Sequence, residues 1–292
     1  MHTSLLNLVF ALFTLSPLVT SHPSTKPIPT IWLAGDSTTA PDGGHNGTEG
    51  WGQYLQYSFQ SNARVNNSAY AARSARSFTR EGRFDRIAEK LRPGDWVVIE
   101  FGINDGINGG VPVDGATTTT GDKGRASCPG GGDETCVLKY NNVTETVFTY
   151  PTYLKNASRR FLSLGAAGIV IASQLPTNVW EKGNFSYAST IFEKYDVQAT
   201  LDLGGPDAGV YFVPHGGYAA QAQRILGKEV VDKNYPMDNT HSAPFLADVH
   251  SQAFVLGLKC GTSPLAHLAV NATARIEGAR GPCLSADDAI PI

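Results

Sequence analysis

The chain has 292 residues, enough for one or two domains with a sizeable core. Hydrophobic residues make up 41% and charged residues 17% of the sequence, which excludes a disordered chain and a coiled coil. The formal net charge is −3 without a long run of like charge, which argues against a surface that wraps nucleic acid.

The N-terminus has the pattern of an export signal. Residues 1–21 carry no Lys, Arg, Asp or Glu and contain an apolar run at 5–13 followed by small residues. This is typical of a secretory signal peptide, and the run is shorter than the roughly 20 apolar residues of a membrane span. A retained anchor is the alternative. Residues 22–29 are rich in proline and predict an extended leader. We therefore expect a secreted protein with a single domain over 30–292.

Apolar runs and helical patterns alternate along this domain. The runs rich in branched and apolar residues lie at 31–34, 65–69, 96–101, 168–173 and 210–213. This alternation predicts a parallel sheet covered by helices. The most continuous runs, within 96–101 and 168–173, are expected in central strands buried on both faces.

The clearest helical patterns lie at 83–91, at 145–164 and directly after residue 241. In the last of these, Ser242 is the predicted N-cap and Pro244 lies in the first turn. The long segment 105–140 lacks periodicity, which predicts a functional loop, and its two cysteines favour an ordered one.

The four cysteines of an exported chain predict disulfides. Of the three possible pairings we favour Cys128 with Cys136 and Cys260 with Cys283, because each pair is local in sequence. A metal site is the alternative, but the CxxC spacing and the histidines of zinc sites are missing. Six triplets match the glycosylation acceptor pattern, at Asn46, Asn66, Asn142, Asn156, Asn184 and Asn271.

A candidate nucleophile follows the first predicted strand, in Gly35-Asp36-Ser37-Thr38. The Ser37 hydroxyl would emerge at the carboxyl edge of the sheet, where α/β proteins place their ligand crevices. Helix capping is the alternative role for these polar residues. The G-x-S-x-G elbow of the α/β-hydrolases is absent from the chain, so that route to a serine nucleophile is closed.

A serine nucleophile needs a base, and the base needs an orienting acid. Of the seven histidines we favour His241, which has Asp238 three residues earlier on a short non-helical turn, whereas His45 lies in a Gly-rich loop. The Asn104 amide, at the end of the strand 96–101, is a candidate donor to a tetrahedral intermediate, whereas a plain Asn-Asp-Gly turn is the alternative. These residues are predicted to share one crevice with Ser37.

Three blocks of the chain resemble a known superfamily. The blocks 35–38, 102–105 and 238–241 match, in order, three signature blocks of the SGNH, or GDSL-like, hydrolases. Longer strings at 33–38, 50–52, 73–77, 79–84 and 98–102 resemble the fungal rhamnogalacturonan acetylesterases. The resemblance spans 31–284 and includes all four cysteines.

The resemblance implies a three-layer α/β/α sandwich with a central, mostly parallel five-stranded sheet of the flavodoxin-like kind, and no cofactor or metal. Ser37 would be the nucleophile, His241 the general base and then acid, and Asp238 the residue that orients it. The backbone N–H groups of Ser37 and Ala72 and the Asn104 amide would form the oxyanion hole.

Two positions depart from the family pattern. Ala72 stands where the family usually has glycine. Because a Cβ penalises a positive φ, we predict a negative φ at Ala72. Ile103 stands where the close relatives often have histidine, which puts an apolar side chain beside the cleft.

The resemblance also implies the substrate, the acetylated rhamnogalacturonan backbone of pectin in plant cell walls. Alternatives that keep the serine are acetylxylan, acetylated homogalacturonan or a lipid ester. Other classes are a glycoside hydrolase using Glu100, Asp105 and Asp238, and an inactive carbohydrate-binding protein. We expect a polysaccharide as the only partner, without nucleic acid or membrane, and a monomer.

An anionic polymer predicts cations near the cleft. Four arginines cluster after the second strand, at Arg73, Arg76, Arg80 and Arg83. Our hypothesis is that one of them lines the groove, and the alternative is that they fasten loops through carboxylates such as Glu81. Trp51 is a candidate for stacking on a sugar, whereas Trp32 is expected in the core.

Overall fold

A computed structural model of the chain describes residues 27–106, 124–270 and 281–285. Its centre is a sheet of five parallel strands in the order β2-β1-β3-β6-β7, and a separate antiparallel hairpin is formed by β4 and β5. The strands are β1 (Thr30–Gly35), β2 (Arg64–Asn67), β3 (Trp96–Glu100), β4 (Thr135–Tyr140), β5 (Val143–Phe148), β6 (Gly168–Ala172) and β7 (Val210–Val213). The predicted parallel α/β sheet is confirmed.

Helices cover both faces of the sheet and make three layers. They are α1 (Leu55–Phe59), α2 (Ala75–Arg80), α3 (Arg83–Ala88), α4 (Tyr150–Ser163), α5 (Ile191–Asp202), α6 (His215–Leu226), α7 (Lys228–Lys233) and α8 (Pro244–Cys260). In β1 the side chains of Ile31 and Leu33 pack with α1, α6 and α8, and those of Trp32 and Ala34 pack with α2 to α5. The period-two alternation of a strand thus divides the apolar residues between two cores.

The helix predicted over 145–164 is wrong in its first part. Val143–Phe148 is a strand, with Val147 buried opposite Cys136 in the hairpin. The helix α4 begins only at Tyr150, where the Thr149 side chain accepts the Thr152 N–H as an N-cap.

The predicted cap of the C-terminal helix is also wrong. Helix α8 begins at Pro244 with Ala243 at the N-cap position. The Ser242 hydroxyl donates instead to the Glu49 carbonyl at 3.2 Å, and the Glu49 N–H donates to the Ser242 carbonyl at 2.9 Å. Ser242 therefore fastens the loop after β1 to the segment before α8.

The structure contains both favoured disulfides. Cys128 is bonded to Cys136, and Cys260 to Cys283. The predicted signal peptide (1–21), most of the leader (22–29) and the acceptor at Asn271 lie outside the described residues. Within the ranges described, no helix has both the length and the apolar character needed to span a membrane.

Candidate active site

The site lies where the strand order of the sheet reverses. Strand β1 is flanked by β2 and β3, so the loops after these three strands meet at one carboxyl edge, where doubly wound sheets bind ligands. Ser37 follows β1, Ala72 follows β2 and Asn104 follows β3. All three line an open cleft of about 570 Å³, together with His241 from the segment before α8.

Ser37, His241 and Asp238 form a continuous hydrogen-bonded chain. The Ser37 Oγ lies 2.9 Å from His241 Nε2, and His241 Nδ1 lies 2.7 Å from Asp238 Oδ2. An ionised Asp238 can only accept, so Nδ1 carries the proton and Nε2 is left to accept the Ser37 proton. This tautomer is the one a general base requires.

Asp238 also shapes the turn that carries His241. Its Oδ1 accepts the backbone N–H of Thr240 at 2.7 Å and that of His241 at 2.8 Å. Partial burial acts to raise the pKa of Asp238, but the hydrogen bonds from the His241 ring and from the two backbone groups outweigh it. The pKa of Asp238 is held below its usual value, so the carboxylate is charged at neutral pH and pairs with the imidazole of His241.

Sequence reasoning missed Gly44, which lines the same cleft. A Cβ placed on Gly44 would lie 2.5 Å from Cγ of the His241 ring. The glycine backbone therefore lies directly against the imidazole, and any side chain would displace it. The adjacent Gly43 was the available sequence signal, because two successive glycines often mark a close approach of the backbone.

The candidate oxyanion donors face the cleft. Asn104 Nδ2 is buried and makes no hydrogen bond in the described part of the chain. It approaches the Asp36 carboxylate closely enough to help lower the pKa of that group, without reaching hydrogen-bond geometry. In the same ranges, the N–H groups of Ser37 and Ala72 donate to no backbone acceptor. These three donors remain the candidates for an oxyanion hole.

Asp36 precedes the candidate nucleophile Ser37 and has a structural role. It is almost wholly buried, and its Oδ1 accepts both the N–H and the hydroxyl of Thr38 at 2.8 Å. Burial raises the pKa of Asp36 to about 6 and the nearby Glu100 adds to the rise, whereas the Thr38 and Asn104 hydrogen-bonding groups oppose it. These bonds fix the loop that carries Ser37.

The prediction of a negative φ at Ala72 is wrong. Its φ is +62°, in the left-handed region that favours glycine. The chain must turn there within a few residues: the Tyr70 N–H still donates to Gly35 of β1, and Ser74 already caps α2. Ala72 lines the cleft in this conformation, so the site holds a strained residue rather than a relaxed one.

The four clustered arginines divide between the cleft and the scaffold. Arg73 lines the cleft. Arg76 and Arg80 bind Glu145 at 3.0 and 3.3 Å, while Arg73 and Arg83 bind Glu81 at 2.9 and 2.6 Å. The fastening role is therefore present in all four, and one of the four also reaches the groove.

The remaining predictions for the cleft have mixed outcomes. Trp51 is wholly buried and donates from Nε1 to Glu100 Oε1 at 2.8 Å, so it belongs to the core, as Trp32 does. Glu100 also lies 2.6 Å from Nδ1 of the buried His215. Ile103 lines the cleft as expected. In the loop predicted over 105–140, Arg125 lines the cleft, and residues 107–123 lie outside the described residues.

Comparisons with known proteins assign the class. The profile of the GDSL-like lipase/acylhydrolase family matches residues 33–224. The chain belongs to this family, and it is therefore a carboxylic ester hydrolase. It is 44% identical over 231 residues to the rhamnogalacturonan acetylesterase of Emericella nidulans, covering 79% of this chain and 85% of that one.

Two further relatives come from Bacillus subtilis. The rhamnogalacturonan acetylesterase RhgT is 42% identical over 81 residues, which cover 27% of this chain and 34% of that one. The crystal structure of the protein YxiM superposes with a TM-score of 0.59 at 18% identity. The match covers 80% of this chain and 56% of that longer one, and it supports the fold alone.

Proposed function

We propose that the protein removes acetyl groups from the rhamnogalacturonan backbone of pectin through an acetyl-enzyme on Ser37. The observation that carries this proposal is the chain of hydrogen bonds from Ser37 through His241 to Asp238 in an open cleft. The resemblance to a rhamnogalacturonan acetylesterase over most of both chains supports the substrate.

The reaction follows from the geometry. His241 Nε2 takes the proton of Ser37 as Oγ bonds to the acetyl carbonyl carbon, and the carbonyl oxygen becomes an oxyanion. The N–H groups of Ser37 and Ala72 and the Asn104 amide donate to that oxygen. When the intermediate collapses, the bond between the acetyl carbon and the sugar oxygen breaks, and His241 gives its proton to that oxygen. The sugar leaves with a free hydroxyl and the acetyl group stays on Ser37.

Water completes the cycle. His241, neutral again, takes a proton from a water molecule as the water oxygen bonds to the acetyl carbon. The second intermediate expels Ser37 Oγ, which recovers its proton from His241, and acetate leaves. Asp238 stabilises the imidazolium formed in each half-reaction.

The shape and charge of the cleft suit a polymer. The cleft is open to solvent, and Arg73 and the half-exposed Tyr70 stand beside the catalytic group. Arg73 offers a cation to the galacturonate carboxylates of the backbone, although it also binds Glu81. The two disulfides fit an oxidising compartment, so we propose a secreted monomer.

Acetate release tests the proposal. Purified protein and the Ser37→Ala variant are incubated in parallel with acetylated rhamnogalacturonan, acetylated homogalacturonan and acetylxylan. We expect release mainly from the first polymer and none from the variant. Release mainly from another polymer would keep the serine mechanism and overturn the substrate, whereas an active Ser37→Ala variant would overturn the mechanism.

A further inference from the structure

Arg125 contacts the candidate oxyanion donor Asn104. Its Nη1 lies 2.7 Å from Asn104 Oδ1, and it lines the same cleft. The Asn104 side chain is otherwise buried, with its Nδ2 unpaired among the described residues.

This contact determines which way the Asn104 amide points. A guanidinium has only donors, so the amide atom facing it must be the oxygen, and the NH₂ group is directed away from Arg125. In the reversed orientation, two sets of N–H groups would face each other and the oxygen would face the developing oxyanion. Both contacts would be repulsive, so Arg125 excludes the inactive orientation.

The backbone around Arg125 is itself anchored. The Gly124 carbonyl accepts Arg80 Nη1 at 2.7 Å, and the Ala126 carbonyl accepts Arg76 Nη1 at 2.7 Å. The Arg76 side chain has no exposed surface and is paired with Glu145. The backbone on both sides of Arg125 is thus held in place, which is what preorganisation of the Asn104 amide requires.

We propose that Arg125 is a positioning residue that orients the Asn104 amide for oxyanion stabilisation. The inference rests on the proposed function, since it needs Asn104 to be an oxyanion donor. The contact between Arg125 and Asn104 acts in the transition state, where the oxyanion exists. Its removal therefore changes kcat rather than KM.

The test is a double-mutant cycle with a small aryl acetate, so that polymer binding does not contribute. Arg125→Met keeps the length of the side chain and removes its donors. We expect kcat to fall about tenfold, the effect of one lost hydrogen bond, with KM changed less than about twofold. Asn104→Ala is expected to lower kcat by about 100- to 1000-fold. Adding Arg125→Met to Asn104→Ala should then change kcat less than about twofold.

Arg86→Met is the matched control. Arg86 also donates to one oxygen, the Glu81 carbonyl at 3.0 Å, but it does not line the cleft. The kcat and KM of the Arg86→Met variant should equal those of the parent protein. Thermal melting and titration of Ser37 with an organophosphonate give the folded and active fraction of each variant.

The outcomes separate the two proposals. An active Ser37→Ala variant would overturn the proposed function. If Ser37→Ala is inactive but the Arg125 and Asn104 effects multiply independently, the esterase mechanism stands and the role of Arg125 is refuted. A raised KM at unchanged kcat in Arg125→Met would likewise refute positioning and make Arg125 a substrate contact.

Discussion

The left-handed backbone at Ala72 leads us to predict that a substitution by glycine stabilises the protein, whereas glycine usually destabilises it. Replacing Ala72 with glycine removes the conflict between Cβ and the following carbonyl at φ +62°. That conflict costs an L-residue about 1–2 kcal/mol. Glycine also gains conformational freedom in the unfolded chain, which subtracts about 0.4–1 kcal/mol. We therefore expect Ala72→Gly to raise the free energy of unfolding by about 0.8 kcal/mol, the difference between the middles of the two ranges.

Urea unfolding and thermal melting measure this change. For a domain of this size, 1 kcal/mol corresponds to about 2–4 °C in Tm, so a rise of about 1–4 °C is expected. The N–H of residue 72 keeps its position, and kcat on an aryl acetate should stay within about twofold of the parent. The strain would then be a cost in stability without a benefit in catalysis.

The neighbouring alanine is the matched control. Ala71 is not among the residues with positive φ, so Ala71→Gly gains no relief and should lower stability by several tenths of a kcal/mol. If Ala72→Gly and Ala71→Gly destabilise the protein equally, the reasoning from the left-handed backbone is refuted. A large fall in kcat in Ala72→Gly would instead show that the Cβ helps to hold the donor in place.

Three further predictions concern other parts of the molecule. Gly44→Ala should lower kcat on the order of 100-fold by displacing the His241 ring, with a Tm near that of the parent; unchanged turnover would contradict the contact. Burial raises the pKa of Glu193 to about 7, against the opposing hydrogen bond from Tyr187, so the native state retains a proton that the unfolded chain loses near 4.5. Glu193 should therefore contribute a fall in stability on the order of 3 kcal/mol as pH rises from about 4.5 through 7, and the fall measured by denaturation across this range should be smaller by about that amount in Glu193→Gln, while the buried Asp36 still contributes its own fall. Replacing Cys260 and Cys283 together with serine should cost about 3 kcal/mol in urea unfolding, since their bond closes a loop with a sequence separation of 23; an unchanged midpoint would contradict this.

The sheet and the Ser37-His241-Asp238 chain could be predicted because both depend on local patterns. The five parallel strands begin within one residue of the predicted apolar runs. Burial on both faces leaves a continuous hydrophobic signal in β3 and β6, whereas the edge strand β2 is partly exposed. The Asp238 carboxylate reaches His241 within one short turn, so the spacing alone brings the pair together. The approach of Ser37 follows from the position of β1 in the sheet.

Long-range contacts decide what the sequence could not show. The φ of Ala72 depends on the path between β2 and α2, which the local sequence Tyr-Ala-Ala-Arg-Ser does not reveal. Gly44 becomes important only because a residue far along the chain places its ring against it. The local sequence gives no signal for the φ of Ala72, and the pair Gly43-Gly44 indicates a close approach of the backbone without identifying the His241 ring as the group that approaches.

The misassigned helix and the missed Arg125 have one physical origin. Residues 143–148 pair with β4 instead of extending α4, and this hairpin carries Glu145 to the two arginines of α2. Held by that carboxylate, Arg76 and Arg80 fasten the backbone on both sides of Arg125. In a helix that continued α4, the Glu145 side chain would not hold this position against α2. The hairpin therefore connects the scaffold to the segment that carries Arg125, and under the proposed role of Arg125 the arginines Arg76 and Arg80 act by fixing this segment beside the cleft.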